Sequence, residues 1–224
     1  MKTLVLFLSA AVTILAGDRA SFAPSAEEVV AKMMEHDAER QAALNGYTAM
    51  RRYTLDNKSR HASMLVRVTS LPDGTKQFVI VEEAGSGAVR KHVFHKILDE
   101  EAAASDPKLR VQSRITPENY TFQLAGMDTA NGRAAYAIDV APKHESKYLI
   151  AGRIWVDAQE YAVARVDGRP AKNPSFWTKS VHFVHSYGKN GPFWFPATNK
   201  SVTDARIFGK TEMVIEYFDY RVSQ

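Results

Sequence analysis

The chain of 224 residues contains no cysteine. This absence excludes disulfides, thiolate metal ligands and a lipid anchor attached to an N-terminal Cys. Asp18 stands where such a Cys would have to follow the segment Leu15-Ala16-Gly17. The fold must therefore be stabilised by its core alone, which suits a bacterial periplasmic protein of this size better than a small extracellular animal domain.

Long hydrophobic runs are also scarce. One apolar run covers residues 3–16, follows Lys2 and precedes small and polar residues. It is too short to cross a bilayer comfortably and has the composition of a secretory signal peptide. We predict a signal peptide over residues 1–20 and a single mature domain over residues 21–224. The mature protein is expected in the periplasm, without a lipid anchor and with transient membrane contact at most.

Charge of one sign and catalytic motifs are likewise missing. The net charge is +4, and the basic residues are interspersed with acidic ones, so we predict no nucleic-acid partner. The sequence has no Gly-x-Ser-x-Gly elbow, His-Glu-x-x-His pair or phosphate-binding glycine loop. Asp157 and Glu160 are close enough to form an acid–base pair, but they flank a predicted turn, where such residues are common. We predict a protein that is not an enzyme and needs no cofactor or metal.

Histidines supply the main alternative to that prediction. His92, His95 and Asp99 fall on one helix face at spacings that would suit a metal, although a plain polar face explains the same spacing. His182 and His185 lie three apart in a predicted strand, so they point to opposite faces and cannot share a metal. A hydrolase that uses His92, His95 or His185 remains one hypothesis.

The sequence is rich in strand patterns. Residues 25–44 show the spacing of an amphipathic helix that begins at Ser25, and residues 88–104 show that of a second helix. Between and after them the apolar period changes to two, which predicts a mainly β, α+β fold with about ten antiparallel strands. The predicted strands are residues 47–56, 61–71, 75–84, 119–127, 131–141, 150–157, 161–168, 177–188, 193–203 and 207–221.

Large apolar residues are concentrated late in the chain. Two helices cannot easily cover the apolar face of so many strands, and a curved sheet can leave a cavity beneath them. The loop at residues 173–177 is interpreted as the lip of that cavity, as a partner-binding point, or as packing against the end of the sheet. The predicted ligand-binding residues are Phe78, Ile80, Phe94, Ile97, Trp155, Phe176, Trp177, Phe183 and Trp194.

One segment resembles a known family. Residues 152–157, Gly-Arg-Ile-Trp-Val-Asp, and residues 161–165, Tyr-Ala-Val-Ala-Arg, are similar to a hairpin of the periplasmic outer-membrane lipoprotein-sorting family. The order of a signal peptide, helix, three-strand meander, second helix and further hairpins also resembles that family. The resemblance implies an incomplete β-barrel of about ten strands, with helices covering a concave apolar face that accepts acyl chains.

The leading hypothesis is therefore a periplasmic carrier that holds a lipid or a lipoprotein acyl chain in an apolar barrel cavity. Burial of the acyl surface would supply most of the affinity. The alternative is a module on the same fold that binds an envelope protein or senses envelope stress.

Overall fold

The computed structural model describes residues 23–173, 178–206 and 209–223. The predicted signal peptide lies outside these residues, and so do Phe176 and Trp177. Within the described ranges, no helix is both long and apolar enough to cross a membrane.

Ten antiparallel strands form one sheet, as predicted. The strands are β1 (Tyr47–Asn57), β2 (Arg60–Ser70), β3 (Lys76–Gly85), β4 (Tyr120–Ala130), β5 (Arg133–Pro142), β6 (Ile150–Asp157), β7 (Val163–Pro170), β8 (Thr178–Asn190), β9 (Phe193–Ala205) and β10 (Gly209–Val222). Their order is β3-β2-β1-β10-β9-β8-β7-β6-β5-β4, so β1 pairs with β10 and the edge strands β3 and β4 do not pair. The sheet is an open barrel.

The first helix, α1 (Ala26–Ala43), begins where its sequence predicts. The Ser25 hydroxyl accepts from the backbone N–H of Glu28, and the Glu28 carboxylate accepts from the backbone N–H of Ser25. This reciprocal capping box satisfies two donors that the helix itself leaves unpaired. Val29, Val30 and Met33 lie on the buried side of α1.

The second helical segment covers residues 87–104. It consists of α2 (Gly87–Val89), a π-helical stretch (Arg90–Phe94) and α3 (His95–Ala104). A short α4 (Pro107–Arg110) and a 3-10 turn (Val111–Ser113) follow, although the sequence pattern did not predict them. Pro107 is tolerated at the first position of α4, where no intrahelical N–H bond is needed.

The core is divided between the two helical segments. In the first cluster, α1 packs on β4 to β7, with Ile138, Ile154 and Val156 fully buried. In the second cluster, residues 87–104 pack on β1, β2 and β10, with Phe94 fully buried beside Tyr53. Each helical segment therefore covers one half of the sheet, and a space remains between the two segments.

Candidate ligand-binding cleft

A cleft opens between the two halves of the helical cover. Its volume is about 470 Å³, within the range of roughly 300–1,000 Å³ that small-molecule sites occupy. Residues of α1, α4 and strands β7 to β9 line it. Its apolar lining includes Met33, Met34, Leu44, Tyr47, Ile115, Ala162, Val163, Tyr187, Phe193, Trp194, Phe195 and Pro196.

Aromatic rings form one wall of the cleft. The Phe195 and Tyr220 rings stack with centroids 4.4 Å apart, and the Tyr47 and Phe195 centroids lie 4.9 Å apart. The Tyr220 hydroxyl donates to the carbonyl of Pro196 at 2.8 Å. Burial raises the pKa of Tyr220 above its ordinary value, so this ring, which supports Phe195 from outside the lining, remains uncharged at neutral pH.

A second cavity of about 370 Å³ adjoins the cleft. The two spaces share the side chains of Gln41, Leu44, Tyr47, Lys76 and Arg110. The second cavity extends toward Glu101 in α3. The available space therefore continues from α1 toward the second helical segment.

A buried ion pair connects the sheet to α3. Arg51 in β1 is 2% exposed, and its Nη1 lies 2.6 Å from Oε2 of Glu101. Lys76 Nζ lies 2.8 Å from the other oxygen of the same carboxylate. The guanidinium also lies 4.9 Å from the centroid of the Tyr217 ring. Two cations thus share one carboxylate, and the net local charge is positive.

The protonation of this network follows from its contacts. Burial disfavours the charged form of Glu101, but Lys76 and Arg51 outweigh that effect and lower the pKa of Glu101 to about 2. Burial also works against the charge on Arg51, yet the carboxylate raises the pKa of Arg51 above its ordinary value. Both groups therefore remain charged at neutral pH.

His185 occupies the interior beside this network. Its ring stacks on Tyr187 at 4.6 Å and on Tyr217 at 5.9 Å between centroids. Burial lowers the pKa of His185 to about 4 and raises the pKa of Tyr187 to about 12. The imidazole is therefore neutral at pH 7, and its buried Nε2 has no hydrogen-bond partner within the described part of the chain.

Two other histidines are paired with carboxylates at the surface of the sheet. His95 Nε2 lies 2.7 Å from Oε1 of Glu83, and His182 Nε2 lies 2.8 Å from Oδ1 of Asp167. In the described part of the chain, no group of three or more His, Asp or Glu residues could hold a metal ion.

The carboxylates at the β6–β7 turn have structural partners. Asp157 is 1% exposed and accepts from the backbone N–H groups of Gln159 and Glu160 as well as from Arg133. Burial disfavours its ionisation, but Arg133 and the turn amides lower the pKa of Asp157. The interpretation of Asp157 and Glu160 as turn residues explains these contacts.

The predicted site residues fall in several places. Phe78, Phe94 and Ile97 belong to the second cluster, and Phe183 packs against the first. Ile80 is 39% exposed at the edge strand β3. None of these five side chains lines the cleft.

Two predicted tryptophans belong to a third cluster. Trp155 is buried against alanines of β5 and β7, on the face opposite its neighbours Ile154 and Val156. Its Nε1 donates to Asp128, and Arg165 lies over its ring. Trp194 packs against the same cluster and also lines the cleft. The predicted ligand contacts of Phe176 and Trp177 fall outside the described residues.

Several cleft residues were missed from the sequence. Met33 and Met34 of α1 carry a helical apolar pattern, but that pattern does not distinguish core packing from cavity lining. Phe193 and Phe195 belong to the aromatic-rich part of the sequence, which was the available signal. Their selection required the register of β9 against β8, because a shift of one residue reverses the face.

Comparison with known proteins supports the architecture. A model described as a family of unknown function, DUF5686, matches residues 115–220. No curated protein is significantly similar in sequence to this chain. Among solved structures, a DUF1329 family protein from Desulfovibrio piger has a TM-score of 0.51 and 11% identity, covering 90% of this chain and 94% of that chain.

Two further structures match with lower scores. A domain from Vibrio parahaemolyticus described as an outer membrane lipoprotein-sorting protein has a TM-score of 0.49 and 13% identity, covering 89% of this chain and 94% of that chain. A LolA superfamily protein from Nitrosomonas europaea has a TM-score of 0.40 and 8% identity, covering 90% of this chain and 95% of that chain. The predicted resemblance is confirmed at the level of the fold, an open, mainly β barrel. At these identities the likeness concerns the fold alone.

Proposed function

We propose that this protein is a periplasmic carrier that holds the acyl chain of a lipid or lipoprotein in the cleft. The observation that carries the proposal is an apolar cleft of about 470 Å³ between the helical cover and the sheet. Removal of acyl surface from water would drive binding at roughly 25 cal/mol per Å², before the costs of ordering. Met33, Tyr47, Val163 and Phe195 are central to the proposed lining.

The contacts of His95 and His185 agree better with a binding protein than with a hydrolase. His95 is engaged by Glu83, and His185 is stacked on two tyrosines with its pKa lowered by burial. Phe78, Ile97 and Phe183 of the sequence-based list remain secondary candidates, because they pack beside the two main clusters while retaining partial exposure.

Native mass spectrometry with lipid extraction, on protein purified from a bacterial periplasm, is the direct experiment. We expect co-purified phospholipid or acylated peptide. A protein that is free of lipid and also refuses added fluorescent fatty acid would contradict the carrier proposal.

A cleft-filling substitution tests the location. Val163→Phe adds bulk to the lining and should weaken fatty-acid binding by about tenfold, which corresponds to about 1.4 kcal/mol. The matched control is Val79→Phe, because Val79 is 59% exposed on β3, and it should leave the affinity unchanged. Equal affinities for both variants, with both proteins folded by circular dichroism, would place the ligand elsewhere.

The second candidate function is binding of an envelope protein. The observation that favours it is the open edge strand β3, where Val79 and Val81 are 59% and 49% exposed. An extended partner segment can add a strand to such an edge. One stoichiometric protein partner without lipid, lost in a Val79→Lys variant, would favour this function over the carrier.

A further inference from the structure

Basic side chains surround the mouth of the cleft. Arg40 comes from the last turn of α1, Lys76 from β3, Arg110 from α4, and Arg114 from the segment that follows. Asp37 is the one acidic residue among the described residues that line the same cleft. Four elements of the fold thus bring positive charge to one opening, although basic residues are dispersed in the sequence.

Two of these four cations are partly neutralised by carboxylates. Lys76 Nζ lies 2.8 Å from Glu101, and Arg114 Nη2 lies 3.9 Å from Asp37. The side chains of Arg114 and Asp37 are both close to half exposed, and their charged atoms are far apart for an ion pair. Asp37 therefore neutralises little of the positive charge of Arg114 at the mouth of the cleft.

Arg40 and Arg110 have different partners. Arg40 donates to the backbone carbonyls of Glu160 and Tyr161 at 3.0 and 3.5 Å, and Arg110 donates to the carbonyl of Asp73 at 2.6 Å. Among the described residues, no carboxylate lies within 4.0 Å of either guanidinium. Backbone carbonyls hold both side chains in place, although the Arg110 charge also acts on the exposed carboxylate of Asp73.

Arg110 also retains an unused donor. Its Nε is buried and has no hydrogen-bond partner among the described residues. Buried donors are nearly always paired in proteins, so Arg110 has spare hydrogen-bonding capacity that a small shift of its side chain toward the cleft would offer to a ligand acceptor. The planar fork of an arginine matches the two oxygens of a carboxylate or phosphate.

We propose that Arg40 and Arg110 bind an anionic head group, a carboxylate or a phosphate, whose acyl chain occupies the cleft. This inference rests on the proposed carrier function and specifies its ligand class as anionic amphiphiles. The apolar wall of Tyr47 and Phe195 receives the chain, and the arginines fix its polar end at the mouth.

Displacement of a neutral fluorescent probe, N-phenyl-1-naphthylamine, tests the inference without any variant. Palmitate, palmitoyl lysophosphatidic acid and neutral monopalmitoylglycerol share one chain length and differ in head group. We expect each anionic compound to bind at least about tenfold tighter than the neutral one at low salt. The tighter of the two anions identifies the head group as carboxylate or phosphate.

The variant R40Q/R110Q should abolish the anionic preference, so that palmitate and palmitoyl lysophosphatidic acid bind no tighter than monopalmitoylglycerol. Arg67→Gln is the matched control, because Arg67 lies on an exposed position of β2 away from the cleft lining. Equal binding of all three compounds to the wild type would overturn the head-group inference and leave the carrier function intact. Failure of all three to bind would instead contradict the carrier function itself.

Discussion

At the scale of single residues, the most consequential group is the Arg51 side chain. It is buried and depends on Glu101 for its counter-charge. Removal of one partner from such a pair leaves an uncompensated charge, which costs more than the pair itself contributes. The sequence gives no sign of this pair, because 50 positions separate the two residues.

Glu101→Gln should destabilise the fold by about 2–3 kcal/mol. This value is below the roughly 3–5 kcal/mol typical of fully buried pairs, because the Glu101 side chain keeps 28% exposure. Urea unfolding at pH 7 measures the change. The matched control, Glu100→Gln, removes a 60% exposed carboxylate and should change the stability by less than about 0.5 kcal/mol. Equal effects would show that the pair is not important to stability.

His185 should make the stability depend on pH. Its pKa is about 4 in the folded protein against 6.5 ordinarily, so between these values the unfolded chain binds the extra proton. Stability should therefore fall as the pH decreases from 6.5 to 4, by at most about 3 kcal/mol, because one pKa unit corresponds to about 1.4 kcal/mol. The fall in stability due to Glu101 comes lower, between about pH 4.5 and 2.

Urea unfolding at pH 7, 6, 5 and 4 separates these two contributions. His185→Phe keeps an aromatic ring for stacking and should flatten the decrease in this range. His92→Phe is the control, since His92 is exposed. A decrease that is the same in all three proteins would assign the pH dependence to other groups.

At the scale of elements, sequence patterns determined most of the fold. The period of two in β1 reappears as alternating burial, with Tyr53 and Leu55 inside. The capping box at Ser25 and Glu28 places the start of α1 because both interactions are local. The π-helical stretch Arg90–Phe94 and helix α4 were not predicted, since irregular helical turns depend on what they pack against.

At the scale of the whole molecule, β10 joins two parts of the sheet. It pairs with β1 on one side and with β9 on the other, so the first three strands connect to the remaining strands through it. The chain therefore lacks a boundary at which the described sheet could divide without loss of these pairings. We expect the sheet to unfold as one unit.

Coincident unfolding curves would demonstrate this cooperativity. All three tryptophans belong to the later part of the sequence, so their fluorescence reports on that part, whereas far-ultraviolet circular dichroism reports on all strands. Both signals should give one midpoint in urea. Two separated midpoints would mean that the first three strands form an independent unit.

Local patterns in the sequence determined α1, the strands and the β6–β7 hairpin, because period, capping and turn chemistry act between near neighbours. Only the tertiary structure decided which side chains line the cleft. Register separates Trp155 from Ile154 and Val156, and packing of α3 on the sheet brings Glu101 to Arg51. Likewise, Arg40 and Arg110 reach one cleft because both α1 and α4 line it, a juxtaposition that dispersed basic residues cannot reveal in sequence.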